Sequence, residues 1–134
     1  MGKKLILVSH GDFCHELKKS TEMIMNSQED IISVGLLPSE GADDFKVKFL
    51  EAIDGLEDFT VFADLMGGTP CNVVSRLILE GAHFDLYAGM NMPMVIGFLN
   101  SQLLGEAVDY KEFAIENTHK VNDLLMAFAD DDED

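Results

Sequence analysis

Positive charge is what this chain has least of. Nine Lys and Arg stand against 25 Asp and Glu in 134 residues, a formal net charge of −16. Binding a phosphate backbone needs a surplus of cations, so nucleic acid is excluded as a partner. An anionic membrane surface is excluded on the same ground. The balance suits a partner with a basic surface. Long hydrophobic runs are also missing. No apolar stretch approaches the roughly 20 residues of a membrane span. Lys3-Lys4 is followed by only Leu5 to Val8 before polar residues begin, so neither a signal peptide nor membrane insertion is expected. Cysteine is scarce. Cys14 and Cys71 form no CxxC pattern, which fits two free thiols in a cytoplasmic protein.

What is present suffices for one domain. The chain is 47% apolar, and at this length a core forms without disulfides or a structural metal. The five terminal residues, Asp130 to Asp134, are all acidic and read as a solvated tail behind a single domain over 1–129. Removing those five acids from the 25 leaves 20 against nine bases, so the body keeps a net −11.

Strand and helix signals alternate. Leu5 to Val8 is apolar, too short for a helix and without polar alternation, which predicts a strand buried on both faces. From Cys14 to Asn26, Cys14, Leu17, Thr21, Ile24 and Met25 recur at helical spacing. Ile31 to Gly35 reads as a second strand. A second helix over Asp43 to Leu56 turns Phe45, Phe49, Leu50 and Ile53 inward. Phe59 to Ala63 is a third strand. Thr69 as N-cap and Pro70 as first helical residue open a third helix to about Glu80. Phe84 to Ala88 is a fourth strand, and Pro93 opens a helix to about Leu104. A last helical stretch covers Glu106 to Asn122, and 121–128 reads either as its continuation or as a final edge strand. Such alternation means an α/β fold, a parallel sheet covered by helices on both faces.

In such a sheet the ligand site lies beyond the carboxyl ends of the strands, where the winding reverses. The first strand ends at Ser9-His10-Gly11-Asp12, the third at Asp64 before Gly67-Gly68-Thr69-Pro70, and the fourth at Gly89-Met90-Asn91-Met92-Pro93. If the first and third strands are neighbours, His10 meets Asp64. A carboxylate on one ring nitrogen fixes the tautomer and frees the other as base, ligand or nucleophile. Two glycines before a helix let an anion approach backbone N–H groups at a positive dipole end. Together these parts describe a histidine able to carry a phosphoryl group. Each residue also has a plainer reading. His10 and Asp64 are ordinary loop residues at strand ends, and Gly-Gly-Thr-Pro is a turn and a cap. His15 sits exposed in the first helix, either on the surface or beside His10. His83 and His119 read as surface residues. Cys14 and Cys71 read as small packing groups, and Met90, Met92 and Met94 as core or interface rather than a sulfur metal site.

The stretch Leu5 to Gly11, then Asp64-Leu65-Met66-Gly67-Gly68-Thr69-Pro70-Cys71-Asn72 with Ser75-Arg76, then Ala88-Gly89-Met90-Asn91-Met92-Pro93-Met94, resembles the enzyme IIA component of the mannose-type bacterial sugar phosphotransferase system. The likeness runs in order over nearly the whole chain and is loose over the last thirty residues. It implies a doubly wound sheet of order 2-1-3-4 and a homodimer exchanging a short C-terminal strand, here 121–126. It implies that His10 accepts a phosphoryl group from the phosphocarrier HPr and passes it to an enzyme IIB, with a membrane permease downstream. It further implies that Asp64 holds Nδ1–H of His10 while Nε2 attacks. Amides around Gly67, Gly68 and Thr69 then receive the phosphoryl oxygens, with Ser9 and Asn91 as lesser polar contacts. No metal or other cofactor is implied. Three rivals remain: the phosphocarrier subunit of the dihydroxyacetone kinase system, whose turn runs through Met-Gly-Ser; a metal-dependent hydrolase built on His10, Asp64 and His15; and a non-catalytic anion-binding module of the same fold.

Overall fold

The structure, a computed structural model, describes the backbone of residues 3–132 and the side chains of residues 3–129. The order of elements is β1 (Lys4–His10), α1 (Phe13–Met25), β2 (Ile31–Leu36), α2 (Ala42–Ile53), β3 (Phe59–Ala63), α3 (Thr69–Leu79), β4 (Asp85–Ala88), α4 (Met92–Leu104), α5 (Tyr110–Glu116) and α6 (Val121–Asp132). The four strands are all parallel in the order β2-β1-β3-β4. This is the doubly wound α/β architecture expected. The winding reverses between β1 and β3, which pair in register from Lys4↔Phe59 to Val8↔Ala63.

The pleat of β1 sorts the core into two layers. Leu5 and Leu7 join Cys14 and Leu17 of α1, Val95 and Phe98 of α4, and Tyr110 of α5. Ile6 and Val8 face the other way, onto Phe45 and Phe49 of α2 and Val74 of α3. Residues 5 to 8 are fully buried, which is why this strand lacks polar alternation. Burying a side chain of this size contributes about 1.5–3 kcal/mol, so β1 is anchored from both sides with its last residue, His10, at the rim.

Several boundaries differ from the sequence reading. Gly68, in extended conformation, is the N-cap of α3, and Thr69 is the first helical residue with Pro70 second. Gly67, at φ +90°, makes the turn that precedes this cap. Leu50 and Ile24 follow the helical period yet are 42% and 60% exposed, because each lies at the margin of its helix's buried stripe. The last helical stretch is two helices, α5 and α6, interrupted over 117–120. The segment 121–126 is the start of α6 and not an edge strand, so the sheet has four strands among the described residues. In the acidic run 130–134, the backbone to Asp132 continues α6; its side chains and residues 133–134 lie outside the described residues.

Candidate active site

The deciding contact sits where β1 and β3 end side by side. The Asp64 backbone N–H donates to the Val8 carbonyl at 3.1 Å, carrying the β1–β3 ladder one step past β3. This turns the Asp64 side chain back over the end of β1. Its Oδ2 accepts the His10 backbone N–H at 2.9 Å and lies 2.7 Å from His10 Nδ1. One oxygen therefore grips both the backbone and the ring of the same residue. A carboxylate only accepts, so Nδ1 carries the proton in this contact, and in the neutral ring Nε2 is the nitrogen with the free lone pair. The His10 side chain is 49% exposed and that of Asp64 12%, which leaves the ring facing outward over a shielded anion. Asp64 Oδ1 is buried with no hydrogen-bond partner among the described residues.

Gly68 packs against the open edge of the ring. A Cβ at Gly68 would lie 2.6 Å from His10 Cε1 and 3.3 Å from Nε2. The absence of a side chain there is thus a condition for this ring position. Gly67 has φ +90°, a conformation that favours glycine. The Asn72 side-chain amide, one turn into α3, donates to the Gly67 carbonyl at 3.2 Å and steadies the turn. At the start of α3, the N–H groups of Thr69 and Cys71 precede the first helical bond, which runs from Asn72 N–H to the Gly68 carbonyl. Among the described residues these two amides have no partner, and with the positive dipole end of α3 they follow directly on Gly68, the residue that packs against the ring; a helix start of this kind can receive an anion.

This is the strand-end histidine, aspartate and glycine turn expected from the sequence. A family model described as the PTS system fructose IIA component, of mannose-type EIIA, matches residues 4–114. The chain belongs to the mannose-type enzyme IIA family. The fructose-specific EIIA component of Bacillus subtilis is 30% identical over 99 residues, covering 72% of this chain and 68% of that protein. The mannose-specific EIIAB component of Escherichia coli is 28% identical over 95 residues, 69% of this chain; the match spans only 29% of that longer protein. Among solved structures, the EIIA component from Streptococcus agalactiae is similar with a TM-score of 0.80 at 26% identity, covering 90% of this chain and 98% of that one.

The other residues singled out in this IIA chain have local tasks. Ser9 is fully buried, accepts the Cys14 N–H at 2.8 Å and donates to the His10 carbonyl at 3.0 Å. It ties the end of β1 to the start of α1 from behind the ring. Asn91 caps α4, accepting the Met94 N–H at 3.0 Å. His15 is half-buried rather than exposed, and its Nδ1 lies 2.6 Å from Ser33 Oγ on β2. His83 and His119 are exposed. Cys14 is buried, and burial pushes its thiol above the ordinary cysteine range. Met90 and Met94 are core residues, with Met92 packed against them. Among the described residues, no three His, Cys, Asp or Glu side chains gather as a metal-ligand set. Sequence reasoning quoted Asn72 in the glycine-turn motif without giving it a task, and it missed Gly35. A Cβ at Gly35 would collide with the Gly11 carbonyl oxygen. Gly35 thereby lets the turn after His10 rest on β2, and the signal for it was a lone glycine in an apolar strand.

Proposed function

We propose that this protein is a phosphocarrier of a bacterial sugar phosphotransferase system, with His10 as the residue that carries the phosphoryl group. The observation that carries this reading is the double grip of Asp64 Oδ2 on His10, which leaves Nε2 as the one free nitrogen, set against Gly68 at the amide-rich start of α3. In the transfer, the Nε2 lone pair forms a bond to phosphorus as the bond from phosphorus to the donor nitrogen breaks. The donor keeps that electron pair. The His10 ring retains its Nδ1 proton and becomes cationic, a change the adjacent Asp64 carboxylate stabilises. The oxygens of the transferred group lie toward the N–H groups of Thr69 and Cys71. The second transfer, to an acceptor, reverses these steps.

The donor is HPr and the acceptor an enzyme IIB, with the membrane permease acting later in the chain. An acidic body suits a donor with a basic rim. The working protein is a homodimer held through its C-terminal helices. That assignment is supported by α6, whose apolar side chains Val121, Leu124, Leu125 and Phe128 recur at helical spacing and are all exposed on a single protomer.

The test is direct. Phosphoenolpyruvate, enzyme I and HPr are added to the protein, and its intact mass is measured. The expected result is a gain of one phosphoryl group, labile in acid and absent in His10→Ala. A stable mass in the unsubstituted protein, or phosphorylation that survives His10→Ala, overturns the assignment.

A further inference from the structure

Two cations outside the described ion pairs share one groove on this acidic surface. Arg76, the only arginine in the chain, lies in the last turn of α3, and Lys46 lies on α2. Both line a groove of about 410 Å³ between these helices, and Thr69 and Asn72 stand at its end nearest His10. The described ion pairs involve Lys3, Lys4, Lys19 and Lys48, and neither Arg76 nor Lys46 joins one, although Asp43 and Glu80 line the same groove. From Thr69 to Arg76 the helix rises about 10 Å. A protein docked on His10 with an ordinary footprint of about 800 Å² covers a disc about 16 Å in radius, so it covers this groove.

Charge adds a second consideration. A chain with a net charge of −16 attracts a cationic donor by its overall field, which does not by itself orient it. A cationic notch set off to one side of His10 breaks that symmetry. An arginine fork donates paired N–H bonds to a carboxylate with fixed geometry, which a bare field does not impose. The notch is most positive while His10 carries no phosphoryl group, which is the state that the donor meets.

We propose that the α2–α3 groove is a docking notch in which Arg76 and Lys46 hold a carboxylate of the phosphoryl-donor protein, fixing the donor's orientation over His10. This rests on the phosphocarrier reading above. The partner it implies is a basic protein with an acidic side chain set to one side of its phosphoryl-bearing group, as the groove is set to one side of His10.

The experiment compares the unsubstituted protein with Arg76→Glu, Lys46→Glu and the milder Arg76→Gln. Phosphorylation of His10 is timed with phosphorylated HPr and, separately, with phosphoramidate, a small donor that needs no docking. Each charge reversal is expected to slow transfer from HPr at least tenfold, and Arg76→Gln about threefold. The phosphoramidate rate and the melting temperature stay unchanged. The sign is decisive, because simple field attraction predicts that a more acidic protein reacts faster with a basic donor. An Asp or Glu to Lys substitution on HPr that restores the rate with Arg76→Glu identifies the carboxylate. Unchanged or faster transfer from HPr overturns the proposal. So does an equal loss with both donors, which marks a structural role for Arg76 at the end of α3. Failure of the unsubstituted protein to react with either donor removes the phosphocarrier reading, and the notch with it.

Discussion

His10 is held by two constraints of different kinds, and they can be separated. Asp64 supplies charge and a proton acceptor, at 2.9 Å from the backbone nitrogen and 2.7 Å from Nδ1. Gly68 supplies space, since any Cβ there meets Cε1 at 2.6 Å. Asp64→Asn keeps the shape and removes the charge. It is expected to melt with the unsubstituted protein, to weaken the Nδ1–H tautomer in the ring's nitrogen NMR signals, and to slow phosphoryl transfer by roughly 10²-fold. Gly68→Ala keeps the carboxylate and pushes the ring. Because the ring is half-exposed it can swing outward, so folding is spared while transfer falls by a similar factor of about 10². The tautomer in Gly68→Ala stays on Nδ1–H if the ring moves with Asp64 still bonded. Unchanged transfer in either variant means that the corresponding constraint does not position His10.

Among the elements, the strands were the most legible in the sequence, because burial on both faces leaves an uninterrupted apolar run at β1 and β3. The residues just after such runs are forced to the rim, and that made His10 and Asp64 visible. What stayed hidden depends on contacts between distant segments. Ser33 meets His15 across 18 residues, and Gly35 meets Gly11 across a strand pair; no local pattern encodes either. The interruption between α5 and α6 falls in Asn117-Thr118-His119-Lys120, which contains neither glycine nor proline, so the period gave no warning of it. The loop from β2 to α2 shows another such link. Lys48 of α2 donates to Glu40 Oε1 at 2.6 Å and to the Gly35 carbonyl, and the Leu37 N–H also reaches Glu40 Oε1, at 2.8 Å. The hydrogen bond from Lys48, and then that from Leu37, hold the Glu40 carboxyl below its ordinary range. A carboxyl lowered on folding stabilises the fold above its unfolded pKa of about 4.3 and loses that contribution as pH falls below it. Glu40→Gln is therefore expected to lower the melting temperature near neutral pH, with the gap from the unsubstituted protein closing through the acid range. A gap that persists unchanged at low pH assigns the loss to packing instead of charge.

At the scale of the whole molecule, two faces of the protein differ in character. The rim of the sheet carries His10 and the glycine turn, while α6 stands apart with every described side chain exposed. Val121, Leu124, Leu125 and Phe128 form a stripe along one side of that helix, from 48% to 69% exposed. Such a stripe is unfavourable in water, which is the ground for the proposed dimer contact. An exchanged strand, as the family resemblance implied, would need this segment extended, whereas its spacing at i, i+3, i+4 and i+7 is that of a helix seeking another helix. Removing 121–134 is therefore expected to leave the protomer intact, because none of the described α6 side chains is buried in either core layer. It also removes six acids, Asp123 and the five of the terminal run, so like-charge repulsion between copies falls rather than rises. Sedimentation should nevertheless show the shortened chain at about half the mass of the full one, since apolar contact is the attraction being deleted. The melting temperature of the dissociated protomer should become independent of protein concentration, while that of the full chain rises with it. A shortened chain that still sediments as a dimer would move the interface elsewhere, and one that fails to fold would mean that α6 belongs to the protomer's own core.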